Sequence, residues 1–404
     1  MSTKLSDYFV GIAAKRLSHV EIFSNQHELN GITKFRSILG EEKANFNGLA
    51  VYLPDEEEHV VENESSYTWY DVRANNPNRS AEYRLYFSDN EVVPNAAVGD
   101  LVILGKDTQG KLIIIVSPSG STSEKQLLFL FGLEEVGNSF IVKDFREDKN
   151  DIGFAGRYIL STLGIQITED NLEEDYLAQM VKVFGMTFPT TRDFSAFSRA
   201  TVKDVSAVED PDGALVAWWD REGMLLRLFE KEIIKQRLAQ GFGEDGTDVD
   251  EFLKFSISVI NRRKSRAGHS FENHLDTIFT AQKLQYTKGG KTENNNKPDF
   301  LFPSVEKYHD PNFNTQLLTM LGVKTTLKDR WRQVLAEANR IPNKHLITLE
   351  PAISKNQTDQ IHAVNLQLVL PQKLKETFSA EQQQQIINLS DFIDLIKGKS
   401  AFMA

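Results

Sequence analysis

Short runs rich in β-branched and aromatic residues recur through the first 120 residues of the chain. Four of them, at 48–54, 82–87, 101–104 and 112–116, end at or near turn-forming residues. Closely spaced runs of this kind predict short strands in a small barrel or sandwich, and they argue against β-α-β units.

The pattern changes after an acidic, loop-prone stretch at residues 144–175. This stretch predicts a domain boundary, with a first domain at 1–175 and a second at 176–404. In the second domain, apolar residues spaced three and four apart predict helices, and short apolar runs predict strands. The predicted helices lie at 214–234, 249–260, 269–284 and 328–340, and the predicted strands at 299–302, 320–325 and 345–349.

The amino-acid composition indicates a globular protein without cysteine chemistry. The 404 residues are 40% hydrophobic and 25% charged, as in globular domains. The chain has no cysteine, which excludes disulfides, thiolate zinc sites and cysteine nucleophiles. No apolar run approaches the roughly 20 residues of a membrane span, and the N-terminus has no apolar signal core. We therefore expect a soluble cytoplasmic protein.

The net charge of −11 argues against a nucleic-acid binder, but the charge is unevenly distributed. Residues 255–345 hold 15 Lys and Arg against 8 Asp and Glu. Phosphate contacts act within about 8 Å at physiological salt, so a local basic face matters more than the total. The segment could line a nucleic-acid cleft or be an ordinary basic surface.

Four residues of this basic segment are candidates for chemistry. Asp299 opens a predicted strand, Lys324 lies on the next one, and Glu337 lies on the predicted helix that follows. Because side chains alternate along a strand, Val323 should pack inward while Lys324 faces the side of Asp299. Glu272, on the helix after the basic run, could approach the same edge.

Converging carboxylates suit Mg²⁺, which takes oxygen ligands and commonly keeps water and a phosphate oxygen. A neighbouring lysine can stabilise a scissile phosphate or the attacking water. Together these groups provide what metal-assisted phosphodiester hydrolysis requires. As a bare pattern, however, Asp, Lys and Glu at such spacings occur by chance in many chains.

The surrounding segments are more specific. Asn-Arg-Arg-Lys-Ser-Arg-Ala-Gly at 261–268, Phe271-Glu272, Lys-Pro-Asp-Phe-Leu-Phe-Pro-Ser at 297–304, Val-Lys-Thr-Thr-Leu-Lys-Asp-Arg-Trp-Arg at 323–332 and Glu337-Ala338 follow in one order. This series resembles the catalytic domain of EcoRII-type restriction endonucleases. The resemblance implies a prokaryotic protein with an α/β restriction-endonuclease-like catalytic core of the PD-(D/E)XK superfamily. It also implies Asp299, Lys324, Glu337 and Glu272 as catalytic residues, with Mg²⁺ on Asp299 and Glu337.

The same resemblance assigns base reading to Lys328, Asp329 and Arg330. Lysine and arginine pair with guanine O6 and N7, and a carboxylate accepts from cytosine N4, so the triplet suits a C·G pair. The alternative is a helix start with flanking surface charges. Arg262 and Arg263, in the basic run 262–266, are predicted phosphate contacts, because most protein–DNA hydrogen bonds go to the backbone.

The first domain is weakly similar to the effector domain of the same family, which implies a mostly β, B3-like pseudobarrel. The acidic loop at 55–58 departs from the family pattern. An acidic face here could cover the basic cleft until effector DNA binds, or it could simply keep the protein soluble. The resemblance implies DNA contacts in the effector domain, and each of the residues could equally well be an ordinary surface residue. These residues are Arg16, His27, Arg79, Glu82 and Arg84.

These observations predict a Mg²⁺-dependent type II restriction endonuclease that cuts double-stranded DNA at a short palindromic site, with a CCWGG-like target implied by the resemblance. A homodimer through the catalytic domain would match the two-fold symmetry of such a site. Two alternatives stay open: a non-catalytic B3-like DNA-binding regulator, and a nuclease that senses base modification. The intact set of Asp299, Lys324 and Glu337 favours an active enzyme over the regulator.

Overall fold

The computed structural model describes residues 3–24, 27–56, 59–76, 78–165, 173–328 and 330–402. The chain divides into two compact units, residues 1–167 with 352–358 and residues 168–351 with 359–404. The boundary expected between residues 175 and 176 stays a prediction. Within the described ranges, no helix is both long and apolar enough to cross a membrane.

The first unit is mostly β, as its closely spaced apolar runs predict. Its helices are α1 (His19–Phe23), α2 (Arg36–Leu39), α3 (Thr122–Leu130) and α4 (Gly153–Thr162). Its strands are β1 (Phe9–Arg16), β2 (Glu28–Leu29), β3 (Ala44–Tyr52), β4 (Val61–Asp71), β5 (Tyr83–Phe87), β6 (Leu101–Asp107), β7 (Leu112–Ser117) and β8 (Ile141–Asp144).

These eight strands form one sheet in the order β2-β5-β4-β3-β7-β6-β1-β8. Neighbours are antiparallel except β3 and β7, which are parallel. In β1, Ala13 belongs to one apolar cluster, while Ile12 and Ala14 belong to another. Alternate side chains of a central strand therefore fill two cores on opposite faces of the sheet.

Part of the acidic loop has a structural role. Asp55 accepts hydrogen bonds from the backbone N–H groups of Thr122 and Ser123, each at 3.0 Å. Those groups belong to the first turn of α3, where N–H groups lack partners within the helix. Asp55 is therefore a helix cap and not merely solvated surface. The B3-like assignment of this unit stays a prediction.

The second unit combines helices with one mixed sheet, so its α/β class is as predicted. Its helices are α5 (Glu173–Phe184), α6 (Thr191–Ala200), α7 (Pro211–Gln240), α8 (Val249–Ala281), α9 (Val305–His309), α10 (Trp331–Leu335), α11 (Lys355–Ala363), α12 (Gln372–Lys375), α13 (Ala380–Gln385) and α14 (Leu389–Ala401). The first turn of α11, at 355–358, is grouped with the first unit. Its strands are β9 (Thr287–Lys288), β10 (Phe300–Phe302), β11 (Thr319–Val323), β12 (Lys344–Ile347), β13 (Leu366–Val369) and β14 (Ile386–Ile387).

The sheet order is β14-β13-β12-β11-β10-β9. Strands β9 to β11 are antiparallel neighbours, and β11 to β14 are parallel neighbours. The long helix α8 packs on this sheet through Phe279, whose ring lies 5.1 Å from that of Phe300 and 5.5 Å from that of Phe302. This contact fixes α8 beside the strand that follows Asp299.

Two helix predictions were wrong in extent. The helices expected at 249–260 and 269–284 are one continuous helix, α8, because the basic run between them holds no proline and mostly helix-forming residues. The helix expected at 328–340 is only the five residues of α10. Lys328 and Ala338 at its two sides have positive φ, of 31° and 48°, which an α-helix cannot include.

Candidate active site

Asp299 and Lys324 meet because β10 and β11 are antiparallel neighbours. Asp299 is the residue before β10, and Lys324 is the residue after β11, so both lie at one edge of the sheet. Asp299 Oδ2 accepts a hydrogen bond from Val323 N at 2.6 Å and lies 4.0 Å from Lys324 Nζ. Both side chains are about one-fifth exposed, at 21% and 20%.

The alternation expected around the lysine is present. Val323 is buried, whereas Lys324 faces Asp299. Lys324 lies just beyond the strand on which it was expected, although its backbone N–H still donates to Ile347 O at 3.0 Å. The parallel pairing with β12 therefore continues through the lysine and fixes its backbone.

Glu337 lies on a loop and not on the expected helix, two residues after α10 ends. Burial raises its pKa to about 7; Lys324 and Lys344 lower that pKa, while Asp299 raises it further. Its Oε2 atom is buried and has no hydrogen-bond partner among the described residues. The carboxyl group thus shares the electrostatic environment of Asp299 and Lys324 and keeps one oxygen unoccupied.

Glu272 reaches the same edge from α8, as expected. Its Oε2 lies 3.6 Å from Lys288 Nζ on β9. Burial raises the pKa of Glu272 first, and the charge of Asp299 raises it further. Burial likewise raises the pKa of Asp299, with Lys324 acting in the opposite direction. Burial thus raises the pKa of all three carboxyl groups, and Glu272 and Glu337 each interact electrostatically with Asp299.

The segment predicted to read bases follows the lysine directly. Leu327 N donates to the buried carboxylate of Glu350 at 2.5 Å, and Thr348 Oγ1 donates to Thr325 O at 3.3 Å. Arg330 is exposed at the far end of the segment. Lys328 is the residue with positive φ, and Asp329 lies outside the described residues. Glu350 could not be predicted as the anchor from local pattern, because it acts on a backbone amide distant in sequence.

Several arginines of the basic run on α8 contact other residues of the second unit. The guanidinium of Arg262 lies 3.9 Å from the centre of the Phe188 ring. Arg263 is paired with Glu230, whose side chain is only 3% exposed, while Arg263 itself is 59% exposed. Arg266 is buried and donates to Pro189 O at 2.6 Å. Arg263 thus combines an anchored guanidinium with an accessible face.

The predicted effector residues are distributed over the first unit in different settings. Arg16 is partly buried, pairs with Glu124, and donates to Val136 O and Gly99 O at 3.3 Å each. These contacts show a structural role that the sequence did not predict. Whether Arg16 also contacts DNA stays a prediction.

The other four predicted effector residues lie nearer the surface. His27 Nε2 lies 3.1 Å from Asp89 Oδ1, and Arg79 is exposed. Arg84 bridges Glu82 and Glu28, each at 3.0 Å, while Glu82 also pairs with Arg73. Their assignment to DNA contact stays a prediction.

Comparisons with known proteins find restriction enzymes that are similar to part of this chain. Residues 226–393 match the family model described as EcoRII C terminal. Type II restriction enzyme EcoRII of Escherichia coli is 40% identical over 190 residues, which are 47% of this chain and 46% of that enzyme. Type II restriction enzyme SsoII of Shigella sonnei is 26% identical over 148 residues, 34% of this chain and 47% of that enzyme. The matches span about half the length of each relative.

Two solved structures of restriction endonucleases resemble part of the chain at low identity. Metal-depleted Ecl18kI in complex with uncleaved DNA has a TM-score of 0.45 and 18% identity, covering 57% of this chain and 86% of that one. The PspGI–substrate DNA complex has a TM-score of 0.39 and 14% identity, covering 56% and 92%. The matched segment 226–393 contains Glu272, Asp299, Lys324 and Glu337. The family-model match over residues 226–393 and the 40% identity with EcoRII confirm the resemblance inferred from the sequence.

Proposed function

We propose that the protein is a divalent-cation-dependent, site-specific DNA endonuclease of restriction type. The observation that carries the proposal is the meeting of Asp299 and Lys324 at one sheet edge within a domain of the EcoRII C-terminal family. Glu337 and Glu272 are electrostatically coupled to Asp299 at that edge. Acidic groups beside one lysine suit hydrolysis of a phosphodiester.

The residues fit a magnesium ion. Within the described ranges, no group of three or more His, Cys, Asp or Glu side chains is arranged to hold a metal. Magnesium, however, commonly takes only one or two carboxylates and keeps water and phosphate oxygens as its other ligands. Asp299 and Glu337 would supply the two carboxylates, and the unpartnered buried Oε2 of Glu337 is a ligand atom of the right kind. The bound ion would supply positive charge beside the scissile phosphate.

Lys324 would stabilise the negative charge that develops on the phosphate during attack. A water oxygen bonds to phosphorus, the phosphorus–oxygen bond to the leaving group breaks, and the leaving oxygen takes up a proton. The hydrogen bond from Val323 N holds the Asp299 carboxylate in place during this step. Each chain residue thus has a distinct task in positioning or charge stabilisation.

DNA recognition is proposed for basic residues of the second unit, of which Arg263 and Arg330 are exposed and Arg262 and Lys328 are half-buried. We assign base reading to the triplet Lys328, Asp329 and Arg330, as the resemblance implies. Arg262 and Arg263 are proposed phosphate contacts, since a basic guanidinium with an accessible face suits the DNA backbone. The proposed target is a short palindrome of the CCWGG kind, taken from the resemblance.

A row of exposed apolar side chains on the first half of α8 supports a homodimer. The row consists of Val249, Phe252, Leu253, Ile257 and Ile260, which are 42–66% exposed. Residues spaced three and four apart share one helix face, so they form a continuous apolar stripe. An exposed stripe of this kind marks an interaction surface. We assign it to a second copy, because the same helix continues into the basic run and a palindrome requires two equivalent subunits.

The first unit is proposed as an effector domain that binds DNA and restrains cleavage. This part rests on the weak family resemblance and on the charge difference between the two segments. The non-catalytic regulator is disfavoured because the catalytic set is intact. Sensing of base modification is a second proposed use of the first unit's DNA-binding face.

Asp299→Asn and Lys324→Ala should each reduce cleavage of unmethylated phage DNA by at least about 10²-fold, the usual effect of removing one preorganised electrostatic group. DNA binding without added Mg²⁺, measured by fluorescence anisotropy, should stay within a few-fold of wild type. Asp250→Asn, at an exposed position of α8, is the matched control and should cleave normally. Retention of wild-type cleavage by either active-site variant would refute the assignment.

Glu337→Gln should make the metal-free protein more heat-stable at pH 8 but not at pH 4.5. Above the raised pKa of about 7 the buried carboxylate of the wild type is ionised at a cost, whereas at pH 4.5 it is protonated in the folded protein and that cost is absent. The measurement is the thermal midpoint against pH. The control, Glu306→Gln, removes a fully exposed carboxyl whose pKa is lowered by its hydrogen bond to Ser304, and it should give no gain at pH 8. Equal effects of Glu337→Gln at both pH values would contradict the burial argument.

Replacing Leu253 and Ile257 together by Glu should convert a dimer to a monomer, because two charges would be buried at the stripe. Light scattering after size exclusion should show wild type at twice the 45.8 kDa chain mass and the double variant at 45.8 kDa. Val183→Glu, at an exposed apolar position on α5, is the control and should remain dimeric. An unchanged mass for the double variant would exclude this surface as the interface.

A further inference from the structure

The loop that carries Glu337 is fastened by residues 292–296, a segment we call the clamp. On one side of Glu337, Asn296 Nδ2 donates to Ala336 O at 2.8 Å. On the other side, Ala338 N donates to Thr292 Oγ1 at 3.4 Å. The clamp therefore holds backbone groups immediately before and after Glu337.

Glu293 is the central residue of the clamp. Its Oε2 accepts from Asn339 N at 3.2 Å, two residues after Glu337. Tyr308 OH donates to both carboxylate oxygens of Glu293, at 2.6 and 2.5 Å. The Tyr308 OH in turn accepts from Arg340 N at 3.3 Å. Glu293 and Tyr308 together thus bind two consecutive amides of the loop.

The loop conformation requires such support. Ala338 has φ of +48°, in the left-handed region that a residue with a Cβ rarely adopts. A residue in this region is strained and persists only where its surroundings hold it. Lys344 adds to the clamp by donating from Nζ to Ala338 O at 3.2 Å and to Ile341 O at 2.7 Å. The strained turn after Glu337 is therefore imposed by tertiary hydrogen bonds.

The clamp lies just before Asp299 in the chain. Asn296 precedes Asp299 by three residues, and the Asp299 carbonyl accepts from Gly289 N at 3.0 Å. One short segment thus leads into the first carboxylate and hydrogen-bonds the loop of the second. A shift of the clamp would change the spacing between Asp299 and Glu337.

We propose that Glu293 is a positioning residue that fixes Glu337 relative to Asp299 and thereby sets the affinity of the site for a divalent cation. This inference rests on the proposed metal-dependent cleavage. A carboxylate suits the position because its two acceptor oxygens serve Tyr308 and Asn339 at once. Glutamine has one acceptor oxygen and can satisfy only part of this arrangement.

Ionisation favours the arrangement as well. Burial alone would raise the pKa of Glu293, but the hydrogen bonds from Tyr308 and the backbone lower the pKa overall. Burial and the bond to Glu293 raise the pKa of Tyr308 to about 12, so its hydroxyl stays a donor near neutral pH. The pair is thus an anionic acceptor with a protonated donor.

The test compares full-length Glu293→Gln with wild type and with Glu306→Gln, an exposed carboxyl on α9 outside the clamp. Hydrogen exchange of the metal-free proteins is measured for the peptide that covers residues 336–341. We expect exchange at Ala338 and Asn339 to accelerate at least tenfold in Glu293→Gln and to remain unchanged in Glu306→Gln. Asn296→Ala, which removes the separate bond to Ala336, serves as a second variant if Glu293→Gln does not fold.

The second readout is the Mg²⁺ concentration that gives half-maximal cleavage of unmethylated phage DNA. We expect it to rise at least threefold in Glu293→Gln, with the rate recovering towards wild type at saturating Mg²⁺. A lower maximal rate with unchanged half-saturation would overturn the proposal, and so would unchanged amide exchange.

If wild type does not cleave, the proposed function fails independently of the clamp. The Mg²⁺-induced rise in thermal midpoint then decides the inference. A smaller rise in Glu293→Gln than in Glu306→Gln supports it, and an equal rise overturns it.

Discussion

The candidate site depends on the electrostatic cost of ionising partly buried carboxyl groups at one edge of the sheet. Burial raises the pKa of Glu272, Asp299 and Glu337, and the charge of Asp299 further raises the pKa of the other two. Ionised carboxylates out of water are costly unless they are paired and hydrogen-bonded. Lys324 and the backbone N–H of Val323 offset part of this cost at Asp299. A divalent cation would offset more, so the repulsion that destabilises the metal-free site favours metal binding.

Such a site needs rigid loops, and buried polar side chains hold them. Glu350 fixes the backbone of Leu327, ahead of the proposed base-reading residues. Glu293 fixes the backbone of Asn339, just after Glu337. In both cases a carboxylate from elsewhere in the chain accepts from an N–H group that regular secondary structure leaves unpaired. The proposed cation binding and the proposed base reading thus depend on acids that take no direct part in either.

The pairing of Asp299 with Lys324 was predictable because it depends on local pattern and simple sheet geometry. Apolar runs located β10 and β11, and alternation placed Val323 inward and Lys324 towards Asp299. The position of Glu337 was not predictable. The apolar spacing from Trp331 suggested a longer helix, whereas non-local hydrogen bonds from the clamp impose a turn after Glu337.

Other differences from the sequence predictions have the same origin. The run at 261–268 is mostly polar and therefore lacks the apolar spacing that predicts a helix. Its helix-forming residues nevertheless continue α8 without a break. Arg16 was expected as a surface contact, yet it pairs with Glu124, distant in sequence. Glu293 and Glu350 carry no motif, because their roles depend on which backbone amides the fold brings to them. Local periodicity therefore predicts strands and core well, but it does not predict anchors formed across the fold.

The most direct test of the central claim is to incubate the full-length protein with unmethylated phage DNA and Mg²⁺ and to sequence the fragment ends. The Asp299, Lys324 and Glu337 centre predicts double-strand cleavage that disappears with a chelator. The fragment ends should fall at one short palindromic sequence. Absence of cleavage, cleavage that persists with the chelator, or ends scattered over unrelated sequences would contradict the account.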